Sequence, residues 1–174
     1  DIKNRPALKP FEEISAFENG IQQIFNNIDG ELGNYFGLFR KWGVLDLKSR
    51  KGKAPGAYQS TLSETRKPFI FLNAVGLDSD VRTLLHESGH AFHVLSAASK
   101  PLMDDREPPI EYCEVASMSM ELIGSHFLKH FYNEEDEKRA RADLLEEIIY
   151  ILPWIATIDA FQHWIYTNPK HSVE

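Results

Sequence analysis

The segment His86-Glu87-Ser88-Gly89-His90 sets two imidazoles four residues apart, with a carboxylate beside the first. On a helix, positions four apart share a face one turn from each other, so both rings can reach one metal ion about 2 Å from each nitrogen. Glu87 falls at the edge of that face. From there a carboxylate takes a proton from water without itself being a ligand, the general-base role in metal-assisted hydrolysis of peptide bonds.

The geometry requires a helix, and the flanks supply one. Val81, Leu84, Leu85, Ala91, Phe92, Val94 and Leu95 recur at helical spacing and predict a helix over 78–97, with Asp78 or Ser79 as its N-terminal cap. A catalytic zinc takes three protein ligands and keeps a fourth position open. The arrangement that adds a glycine and a third histidine just downstream is not met, since His93 and Ser96 stand there. His93 as a fourth ligand would close the site, so packing or a hydrogen bond to a ligand is its expected role. The run 110–124 offers Glu111, Glu114 and Glu121 instead. Glu114 and Glu121 are seven apart and share a face of Ala, Ser, Met and Leu without lysine, where a free carboxylate is costly.

Together, His86-Glu87-Ser88-Gly89-His90-Ala91-Phe92-His93 and the downstream Glu114-Val115-Ala116-Ser117-Met118 with Glu121 resemble the M3 peptidases, in particular the oligoendopeptidase F branch. Glu114 follows His90 by 24 residues, a compatible distance. The resemblance extends to Lys51-Gly52-Lys53-Ala54-Pro55-Gly56-Ala57-Tyr58 and to Pro68-Phe69-Ile70-Phe71-Leu72-Asn73, covering about 40–169. It implies that His86, His90 and Glu114 hold one zinc ion and that Glu87 is the catalytic base. Glu121 is implied as a neighbour that orients a ligand imidazole. Full-length M3 enzymes are several times longer and carry, after the zinc helices, a His/Tyr-rich segment that hydrogen-bonds the tetrahedral intermediate. Tyr166 and His163 lie too close behind a long helix to be given that role.

Composition narrows the class. Acidic residues outnumber basic ones 26 to 19, giving a net charge of -7 with dispersed lysines and no nucleic-acid footprint. No run of about 18 apolar residues and no leader pattern appears, so a cytoplasmic enzyme segment without membrane contact is expected. The single cysteine, Cys113, excludes an internal disulfide and is expected to be a buried, inert thiol. Residues 1–10 contain no methionine start and 168–174 stop without a terminal element, which suggests a piece of a longer chain.

The elements that must position these residues follow from periodicity. Helices are predicted over 11–27, from Ile14, Phe17, Ile21, Ile24 and Phe25, and over 31–42, with Gly30 between them. Residues 48–55 read as a basic loop, and 56–62 and 68–74 as two neighbouring antiparallel strands. Residues 99–109 form a proline-rich crossover to the ligand helix, and Asn133 with the acidic run 134–137 opens a long helix that Pro153 is expected to kink. His126 and His130 repeat the four-residue spacing without a following Glu and read as a partly exposed helix face rather than a second metal site; His163, Trp154 and Trp164 read as aromatic core.

The expected fold is mainly α with a small antiparallel β-sheet, a fragment of a zincin-like, gluzincin-type catalytic domain. It is read as one partial domain over 1–174: a helical lead-in (1–45), a loop and two-strand edge (46–76), zinc-site helices (77–132) and C-terminal helices (133–169). The expected activity is zinc-dependent endopeptidase cleavage of short peptides, with the rest of the parent chain as partner. An extended substrate would pair with an edge strand at Phe69 to Asn73, with Phe71 and Asn73 as contacts and Gly56, Ala57 and Tyr58 as a second surface. The alternatives are a zinc carboxypeptidase with the same motif and a non-catalytic helical fragment that binds peptide or metal.

Overall fold

The computed structural model describes residues 5–172 of the 174-residue chain. The outermost residues of the two end segments read above, 1–4 and 173–174, lie outside the described residues. Contacts divide the chain into two units, one ending at Glu137 and one beginning at Lys138.

In the first unit, helix α1 (Ile14–Ile28) buries Phe17, Ile21, Ile24 and Phe25 along one face. The break before helix α2 (Gly30–Trp42) falls at Asp29, not at Gly30, because the Asp29 carboxylate accepts the backbone N–H of Glu31 at 2.7 Å and caps the helix that Gly30 opens. Gly43 ends α2 in the left-handed region at φ 66°, where its N–H and that of Val44 close onto carbonyls of the last turn. The chain then enters strand β1 (Leu45–Lys48), followed by β2 (Tyr58–Leu62) and β3 (Lys67–Ala74).

The sheet is mixed rather than antiparallel. β3 lies in the middle, antiparallel to β2 with Gln59 opposite Ile70, and parallel to β1 with Leu45 opposite Ile70. Strand β1 escapes sequence reading because its four residues alternate Leu with charged side chains and run into the basic loop. Its placement removes the expected edge at Phe69 to Asn73: β3 is flanked on both sides, and the free edges belong to β1 and β2. Pro68 is tolerated in β3 because it lies opposite Thr61 of β2, beyond the residues that β1 pairs with.

Helix α3 spans Asp78–Ala97, as the periodicity predicts. Its start is capped from within: Asp80 is buried, and its Oδ2 accepts the N–H groups of Val75, Gly76 and Leu77 at 2.8, 2.8 and 2.9 Å. Asp78 instead receives the Tyr132 hydroxyl and pairs with Arg82, so neither it nor Ser79 is the cap. Helix α4 (Ile110–Gly124) follows a crossover with a short 3-10 turn at Asp104–Arg106. The core joins α1, α2 and α3 through Phe25 and Phe39, whose rings lie 4.8 and 5.7 Å from that of Phe92. Each such buried side chain contributes about 1.5–3 kcal/mol.

Helix α5 (Glu134–Thr167) continues past Pro153 as one element. Asn133 Oδ1 caps it by accepting from Glu135 and Asp136. Beyond Lys138, the expected aromatic core is not formed: Trp154 and Trp164 are exposed, and the His163 side chain is 78% exposed. Within the unit beginning at Lys138 one helix is described, and its buried residues are Ala140 and Leu144. Among the described residues, no helix is long and apolar enough to cross a membrane.

Candidate metal centre

Helices α3 and α4 touch backbone to backbone at Gly89. A Cβ built there would stand 2.6 Å from both the Ala116 carbonyl oxygen and the Ser117 Cα, closer than packed atoms come. This approach sets the histidine face of α3 against the carboxylate face of α4. His86 Nε2 lies 3.3 Å from Glu114 Oε2, and His90 Nε2 lies 3.8 Å from Glu114 Oε1. The two imidazole rings stand 4.9 Å apart at 85°.

Each of these groups is oriented by a second contact. His86 Nδ1 lies 2.7 Å from Glu121 Oε1, which directs Nε2 toward Glu114. His90 donates to the Cys113 carbonyl. Ser117 is buried, and its hydroxyl donates to Glu114 Oε2 at 2.9 Å. Glu87 is 7% exposed, and its carboxylate accepts the backbone N–H of Gln59 on β2.

The electrostatics follow from these contacts. The Glu121 hydrogen bond raises the His86 pKa, against the opposing effect of burial. Burial lowers that of His90 and raises that of Glu87, whose shift the neighbouring His86 and the Gln59 N–H resist. Three carboxylates around two imidazoles make a site that favours a cation. His86, His90 and Glu114 each offer one ligand atom, all within 4.8 Å of one another. Three donors about 2.1 Å from a tetrahedral ion stand about 3.4 Å apart, so the donor set and spacing fit zinc.

The expected residues separate into groups. His86, Glu87, His90, Glu114 and Glu121 come together, while Glu111 is exposed and outside the cluster. The desolvation argument fits Glu121, 19% exposed, and not Glu114, whose side chain is 57% exposed. His93 stands outside the converging group and makes no hydrogen bond through its buried Nδ1; it lines an apolar cavity of about 500 Å³ with Leu32, Phe92 and Tyr112. Cys113 is partly exposed rather than buried, its thiol 3.8 Å from the Pro109 carbonyl.

Phe71 and Asn73 are turned to other work than an edge strand's. The Tyr58 ring stacks on Phe71 at 4.9 Å, and the Asn73 amide donates to the carbonyls of Ala54 and Gly56. Sequence carries no mark of the Gln59 and Cys113 contacts, because they use backbone atoms. The Ser117 contact had a visible signal in its three-residue spacing from Glu114.

The sequence model of peptidase family M3 matches residues 32–174. An oligoendopeptidase F homolog of Mycoplasma genitalium is 31% identical over 139 residues, covering 76% of this chain and 22% of its own length. Oligopeptidase PepF of Bacillus subtilis is 35% identical over 135 residues, covering 77% and 20%. A crystal structure of an oligoendopeptidase F from Bacillus anthracis superposes with a TM-score of 0.88 at 31% identity, over 96% of this chain and 30% of that one. The chain thus spans about a fifth of the length of the curated relatives it matches.

Proposed function

The chain belongs to peptidase family M3, and from that membership we propose that it carries the zinc site of a cytoplasmic metalloendopeptidase acting on short peptides. One observation carries the reading: His86, His90 and Glu114 converge within 4.8 Å, with the buried Glu87 beside them. The names of the relatives, oligoendopeptidase and oligopeptidase, support oligopeptides as the substrate class. The rest of the parent chain would complete the enzyme.

Zinc held by these three residues would polarise the scissile carbonyl and lower the pKa of an attacking water toward about 7. Glu87 takes the proton from that water and passes it to the leaving amine. Its raised pKa suits both transfers, since a buried carboxyl binds a proton more readily than an exposed one. The Gln59 N–H holds the Glu87 carboxylate in place. Glu121 occupies Nδ1 of His86 and so turns its Nε2 toward Glu114, while the Cys113 carbonyl favours a fixed setting of the His90 ring. An extended peptide would pair with the outer edge of β2 and meet Gly56, Ala57 and Tyr58 at its start.

The test is zinc stoichiometry after stripping and reconstitution, followed by cleavage of a peptide blocked at both ends. One zinc per chain and internal cleavage are expected. Cleavage only of peptides with a free C-terminus would replace this reading by a carboxypeptidase, and absence of both zinc and cleavage would overturn it.

A further inference from the structure

The loop between β1 and β2 ends at the segment proposed to meet substrate, and a buried ammonium holds it. The Lys53 side chain is 1% exposed. Its Nζ donates to the carbonyls of Asp46 at 2.8 Å, Lys48 at 3.1 Å and Leu72, and to Asp46 Oδ1 at 3.1 Å. It also lies 4.4 Å from the centroid of the Phe71 ring. A charge removed from water to this degree persists only when its donors are satisfied, and here carbonyls of both β1 and β3 meet them.

The consequence falls on five residues. Lys53 fixes the loop at one end, and Tyr58 fixes it at the other by stacking on the same Phe71 ring. Between them, the Asn73 amide takes the carbonyls of Ala54 and Gly56 at 2.7 and 3.1 Å. The next residue after Tyr58 is Gln59, whose N–H holds Glu87. Gly56 adopts φ 95°, a conformation open mainly to glycine, so this short stretch is defined at both ends and in its middle. A segment ordered beforehand does not lose that entropy when a peptide binds.

We propose that Lys53 is a positioning residue for peptide binding: its ammonium, caged by β1 and β3 carbonyls under Phe71, pre-orders Ala54 to Tyr58 as the substrate-bearing rim of the zinc site. This rests on the peptidase reading above, and the experiment separates the two.

The measurement is the affinity of a fluorescent peptide blocked at both ends for zinc-loaded intact protein carrying Glu87→Gln, with and without Lys53→Met. Zinc content and amide hydrogen exchange of residues 49–57 are followed in parallel. The Lys53→Met change is expected to weaken peptide binding about tenfold, through the cost of ordering the loop, with one zinc retained and faster exchange confined to the loop. Asn73→Ala, which releases the same loop from the other side, is expected to shift binding the same way and serves if Lys53→Met does not fold. Unchanged affinity with a loosened loop would overturn the proposal, as would unchanged loop exchange, loss of zinc in both variants, or no peptide binding at all. If the Glu87-containing protein cleaves nothing while the Lys53 dependence of binding holds, the peptidase reading fails and the positioning role stands.

Discussion

His86 and Glu121 stand 35 positions apart in the chain, and their side chains meet with Nδ1 and Oε1 2.7 Å from each other. The contact spans α3 and α4, and it turns the His86 Nε2 atom toward Glu114. Replacing Glu121 with Ala removes the orienting acceptor but no ligand. Zinc affinity is expected to fall about 10- to 100-fold, read by competition with a chelator of known affinity. An unchanged affinity would show that packing alone orients the ring.

Glu87 is not one of the three residues whose ligand atoms converge, so its chemistry is expected to separate from binding. Glu87→Gln should keep one zinc per chain and lower peptide cleavage by about 10²–10⁴-fold, the usual worth of a general base. Cleavage within a few-fold of the original protein would assign the base elsewhere.

Gly89 is required by the close approach of α4. Adding the alanine methyl at 2.6 Å from the Ala116 carbonyl oxygen must push the helices apart, at a cost of about 1–3 kcal/mol. Gly89→Ala is therefore expected to lower the melting temperature and to weaken zinc binding together. A variant that melts normally yet has lost zinc would show that the helices moved without loss of packing.

The loop clamp predicts an acid limb. Arg50 hydrogen-bonds Asp46 through both terminal nitrogens, and with Lys53 it holds the Asp46 pKa at about 2, below the ordinary value of 3.8, against an opposing effect of burial. A carboxyl depressed in the folded state stabilises above its unfolded pKa, and that contribution is lost as pH falls through the folded value. Asp46→Asn should thus melt below the original protein at pH 5, with the two curves converging as pH approaches 2. Parallel curves over that range would rule out ionised Asp46 as the source.

Helix α3 was legible because two periods coincide in it: the apolar spacing that buries Val81, Leu84, Leu85 and Phe92, and the four-residue step that aligns His86 with His90. Both are local properties of one helix. Helix α4 was sought as the source of a third ligand, and the assignment of Glu114 over Glu111 or Glu121 required the family resemblance. Strand β1 was not legible, since four residues with two charged side chains give too short an alternation to stand apart from a loop. Missing it made β3 an edge in sequence and a centre in the structure.

What this sequence determines by itself is therefore whatever lies within one element: the helical phase of His86 and His90, the placement of Glu87 beside them, and the capacity of α4 to present carboxylates. The tertiary structure alone decided which groups meet across elements. It closed α3 onto α4 at Gly89, gave Ser117 to Glu114, laid the Gln59 N–H against Glu87, and buried Lys53 among carbonyls of two strands. The reason is physical. Side-chain periodicity records which face of an element is apolar, whereas backbone donors and acceptors are the same at every residue and acquire a partner only when the elements have packed.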